Sequence, residues 1–157
     1  MLTLDQRFAF QGQSVAWGSI GDGAPVILIH GFPWSAQAWR NIAPWIAKTY
    51  KVYFFDMLGC GLSEKNENQT VSENVQSDLL EALVEHWQLH KPPEFDVHLI
   101  WGENDTFIPL AQGRELQGLL AADSFDVIHN AAHIVHEDAP EAIVLCCEIY
   151  DRAFLPI

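Results

Sequence analysis

Few residues of this 157-residue chain stand where chemistry is usually done. His30, Gly31, Phe32 and Pro33 follow the apolar run at 26–29. Asp105 follows the run at 96–102, and His133 follows the run at 125–129. An aspartate that orients and charges a histidine makes a general base, so Asp105 and His133 are the candidate catalytic residues. Backbone N–H groups at His30, Gly31 and Phe32 could hold an oxyanion, although a tight turn after a strand also explains Gly31 and Pro33. Cys60, between Gly59 and Gly61, is expected to be accessible, which would make it a possible thiolate nucleophile. Trp101 ends a strand and either lines a pocket or packs a core. His30, Asp105, His133 and His136 lack the H-x-x-x-H spacing of a helical metal pair, so neither metal nor cofactor is expected.

Residues so far apart in sequence need a scaffold. Strands are expected over 2–10 and 13–20, around the Gln11-Gly12 turn. The run at 26–29 reads as a strand buried on both faces. A helix is expected over 35–49, with Trp39, Ile42, Trp45 and Ile46 at helical spacing and a break or kink at Pro44. Trp34, Trp39 and Trp45 are expected to pack it. A strand at 51–56 and a long loop follow. Thr70 and Glu73 have the spacing of a capping box for a helix that aligns Val75, Leu79, Leu83 and Trp87. Beyond Pro92-Pro93 come a strand at 96–102, a helix at 109–121 and a strand at 125–129. A final helix, opened by an Asp138/Glu141 box, runs to about residue 153. Strands alternating with helices predict an α/β protein with a mostly parallel sheet flanked by helices. In such sheets ligands bind at the carboxyl ends of the strands, where the candidate residues lie.

Four segments carry a family resemblance. HGFPWSAQAW (30–39) resembles the oxyanion loop of the epoxide hydrolase and haloalkane dehalogenase branch of the α/β-hydrolases. FFDMLGCGLSEK (54–65) resembles its D-x-x-G-x-G-x-S loop, in which Ser63 matches a structural serine. LIWGENDTFIP (99–109) and NAAHIVHEDAPEAI (130–143) resemble its acid and histidine segments, matching Asp105 and His133. The resemblance implies Phe32 as an oxyanion donor and a cis bond before Pro33. It also implies a nucleophile elbow, G-x-S-x-G or its aspartate form, yet the chain contains neither. The elbow strand, the next strand and the lid domain are expected to be deleted near 91–94. That leaves one minimal domain over 1–157.

Removing whole strand–helix units leaves two ways to close the sheet. The acid strand takes the vacated place beside the third strand, or a second chain fills it. Either way a homodimer or higher homo-oligomer is expected. Three nucleophiles remain open: water activated by His133, the Asp105 carboxylate, and Cys60. The implied function is slow hydrolysis of small esters or lactones. The alternative is a non-catalytic binding module or an inactive deletion product.

A formal charge of -13 opposes binding to nucleic acid or anionic lipid and leaves a small molecule as the expected partner. Cys60, Cys146 and Cys147 form no spaced disulfide framework, which suggests a reducing, cytoplasmic setting. MLTLDQRFAF has neither the basic nor the long apolar region of a signal peptide.

Overall fold

A computed structural model describes residues 1–67, 69, 71–89 and 97–152, without the side chains of 148–152. Thr70 and the expected junction at 91–94 lie outside the described residues. The chain divides into two compact units, Met1–Lys91 and Pro92–Ile157.

In the first unit, strands β1 (Gln6–Phe10), β2 (Gln13–Ile20), β3 (Ala24–Leu28) and β4 (Tyr50–Phe55) form one sheet in the order β1-β2-β4-β3. The β1–β2 and β2–β4 pairs are antiparallel, and β3–β4 is parallel. Helix α2 (Glu73–His86) covers the sheet. Its expected stripe holds: Leu79 and Leu83 are fully buried, Trp87 caps the helix, and Phe10, Val15, Phe55, Met57, Leu58 and Cys60 complete the core. Truncating Leu79 or Leu83 to alanine would cost about 2–5 kcal/mol. Ser72 is the N-cap residue, without a side-chain cap bond.

The helix expected over 35–49 is instead a 3-10 turn, Ala36–Trp39, followed by α1 (Ala43–Ile46). Pro44 lies in the first turn of α1, where a missing N–H costs nothing. The break falls upstream of it. The two turns bury Ala36, Ala38, Ile42, Ala43 and Ile46, whereas Trp34 and Trp45 are exposed, and Lys48 Nζ sits 3.5 Å over the Trp45 ring. Alanines and the expected Ile42 and Ile46 therefore make this contact; Trp39 is half-buried, and Trp34 and Trp45 do not join it.

The run at 26–29 also departs from expectation. Val26, Ile27 and Leu28 are only half-buried and Ile29 is 45% exposed. β3 is the last strand of its sheet, so one of its edges has no partner strand among the described residues.

In the second unit, β5 (His98–Gly102) and β6 (Ser124–Ile128) pair in parallel over five residues. Helices α3 (Leu110–Leu120), α4 (Val135–Asp138) and α5 (Pro140–Arg152) follow in chain order around them. The acid strand β5 thus has the histidine-bearing strand β6 as its neighbour within this unit. The Asp138/Glu141 box does not form either. Asp138 closes α4 and its Oδ2 accepts from the Ala132 N–H at 2.8 Å.

Candidate active site

Asp105 and His133 stand on the loops that leave the carboxyl ends of β5 and β6. The loops are stitched by backbone bonds: Glu103 N–H donates to Ile128 O at 3.0 Å and Asn104 N–H to Ala131 O at 2.9 Å. Only glycine allows this approach at 102, because a Cβ there would lie 2.0 Å from Ala132 O. The Asp138 bond to Ala132 braces the second loop from behind.

The pair itself is direct. His133 Nδ1 lies 2.9 Å from Asp105 Oδ2. The other carboxylate oxygen, Oδ1, accepts from the backbone N–H groups of Phe107 at 2.9 Å and Ile108 at 2.8 Å. This is an Asx-type turn, in which a short carboxylate replaces a backbone acceptor. The Asp105 side chain is buried. Burial alone would raise its pKa, but the bonds from His133, Ile108 and Phe107 outweigh it and hold the carboxyl below the ordinary range. An ionised carboxylate only accepts, so Nδ1–H is the donor and Nε2 of neutral His133 carries the lone pair. The imidazole is 41% exposed, and no described residue hydrogen-bonds Nε2. The arrangement is an oriented base open to solvent.

The other predicted residues are placed differently. His30 is buried; its Nδ1–H donates to Gly31 O at 2.9 Å and its Nε2 accepts from the Met57 N–H at 3.0 Å. Those roles fix a neutral tautomer, so the 3.9 Å approach to Asp56 is not an ion pair. Here His30 ties the end of β3 to the loop after β4. Gly31 O accepts from the Trp34 N–H, Phe32 is 65% exposed, and the Phe32-Pro33 bond is cis, as the resemblance implies. Trp101 packs rather than lines a pocket: its ring stacks on Phe125 and lies against Gly113, and its Nε1–H donates to Ile108 O at 3.1 Å.

Cys60 is corrected most firmly. Its flanking glycines do not expose it; it is 2% exposed within the first unit's core. Burial, and then the Asp56 charge, push its thiol up, away from a thiolate. The glycines serve Asp56 instead. Its Oδ1 accepts from Ala36 N–H and its Oδ2 from Leu62 N–H, at 2.6 and 2.7 Å. Gly61 has φ +48°, and a Cβ there would overlap the carboxylate. Ser63 is structural, as its family match implies, donating to Asp56 O and accepting from the Ala16 N–H.

Two partnerships were not anticipated from sequence. Glu103 and His129, on the same two loops, meet at 3.1 Å on the surface, and that bond, then one from the Asn130 backbone, lowers the Glu103 pKa. Phe107 places its ring 4.9 Å from the His133 imidazole. An aromatic residue two positions after the acid was the available signal.

A profile of the alpha/beta hydrolase fold family matches residues 24–93. A solved alpha/beta hydrolase fold protein from Burkholderia ambifaria superposes with a TM-score of 0.87 at 25% identity, covering 94% of this chain and 98% of that one. The chain has the α/β-hydrolase fold. It is 35% identical over 75 residues to a soluble epoxide hydrolase of Corynebacterium sp. strain C12, covering 48% of this chain and 26% of the relative. It is 34% identical over 97 residues to a haloalkane dehalogenase of Sphingobium indicum, covering 59% of this chain and 32% of the relative. Both fit the branch named by the four motifs. The chain thus spans about a third or less of these curated relatives.

Proposed function

We propose that this α/β-hydrolase chain hydrolyses small esters or lactones by general-base catalysis, with His133 as the base and Asp105 as its anchor. The observation that supports this reading is the 2.9 Å Asp105–His133 bond with Nε2 left open. A water proton passes to Nε2 as the water oxygen adds to the carbonyl carbon. The tetrahedral intermediate then expels the alkoxide, which recovers the proton from Nε2. No covalent enzyme intermediate is required, in keeping with a sequence that has no G-x-S-x-G. Three free cysteines support a reducing, cytoplasmic setting, and the edge of β3 that has no partner strand among the described residues supports association with a second copy.

A panel of p-nitrophenyl esters assayed with wild type and His133→Ala tests the reading. We expect the variant to lose about 10²–10⁴-fold of the rate above background. Equal rates would end it. The absent elbow favours a second reading, a non-catalytic binding module, which predicts no turnover in either protein.

A further inference from the structure

Phe107 is 79% exposed, unusual for so large an apolar side chain, yet it stands on a hydrogen-bonded turn. Its own N–H and that of Ile108 are both bound by Asp105 Oδ1. The Ile108 carbonyl accepts from Trp101, and α3 begins two residues later. The turn that fixes the carboxylate therefore also fixes the aromatic ring. That ring approaches the His133 imidazole at 4.9 Å with the planes tilted by 56°. One side of it lies against the imidazole, and the rest is exposed.

We propose that Phe107 is the specificity-determining residue of this site, an aromatic platform for the acyl chain or aryl group of an ester or lactone. The proposal rests on the hydrolase reading given above. A carbonyl carbon attacked by water at Nε2 has two substituents, and the one directed over the ring gains apolar contact. A substrate with only a methyl there gains almost none. Medium-chain or aryl-bearing substrates are therefore preferred over acetates.

Two measurements separate the platform from the chemistry. In the first, protein labelled with ¹³C-histidine is titrated with 4-phenylbutanamide, an apolar amide resistant to hydrolysis, and the His133 signal is assigned with His133→Gln. We expect a saturable shift in wild type, an affinity about fivefold weaker in Phe107→Ala, and rescue to within about twofold by Phe107→Leu and Phe107→Tyr. No saturable shift in wild type, or equal affinity in Phe107→Ala, overturns the platform. In the second, Phe107→Ala is expected to raise KM for p-nitrophenyl hexanoate about fivefold and more than KM for the acetate, with kcat within about twofold. Phe107-dependent binding without turnover removes the hydrolase reading and leaves the platform. Turnover indifferent to Phe107 removes the platform and leaves the hydrolase.

Discussion

Asp105 accepts three hydrogen bonds, two from backbone N–H groups and one from His133, and they lower its pKa together. A carboxyl whose folded pKa is depressed contributes stability above its unfolded pKa, near 3.9. That contribution fades as pH falls through the lower, folded pKa. Asp105→Asn keeps an acceptor for the two N–H groups but loses the charge. We expect the stability gap between wild type and Asp105→Asn, followed by urea midpoints, to be constant from neutral pH to about 5 and to close on acidification. A gap independent of pH would mean that the carboxylate is not ionised in this turn. For Cys60 the chemistry runs the other way. A buried thiol with a raised pKa should react with iodoacetamide only on unfolding, and Cys60→Ala should keep full esterase activity at a cost of about 1 kcal/mol.

Loops position Asp105 and His133, and glycines decide how near the loops can come. Gly102 ends β5 where the backbone at Ala131 and Ala132 lies directly against it. Gly102→Ala should push the His133 loop away while leaving both members of the pair in the sequence. The expected result is an activity loss approaching that of His133→Ala, with the β5–β6 ladder retained. Circular dichroism and ester turnover read the two effects separately. An active Gly102→Ala protein would show that the loops tolerate separation. The same logic explains the loop after β4, where Gly61 makes room for a carboxylate that ties two backbone segments together. Its D-x-x-G-x-G-x-S pattern is an architectural motif, and Cys60 occupies one of its unconstrained positions.

Over the whole molecule, β3 is the feature most in need of a partner. Residues 23–39 contain no Asp, Glu, Lys or Arg, although the chain carries a formal charge of -13. An apolar edge strand without a charged guard pairs readily. We expect wild type to sediment as a homo-oligomer and Ile29→Lys to shift it to monomer at the same concentration. A monomeric wild type would exclude association through β3. Periodicity made β2, β4, α2 and α3 legible, because burial on one face leaves a pattern in the residues themselves. The placement of Asp105 after β5 and of His133 after β6 was legible because the loop motifs at strand ends come in a fixed order. The strand partner of β5 was not, since a single strand carries no label for its neighbour. Neither was the broken helix at 40–42, nor the burial of Cys60, which local glycines misrepresented. The sequence by itself determined most of the elements, the positions of Asp105 and His133 after their strands, and the lack of an elbow, all of which are properties of residue type and spacing. Only tertiary structure decided that Asp105 meets His133, that His30 is a neutral tie and that Phe107 flanks the base. Those depend on distances between segments brought together by folding.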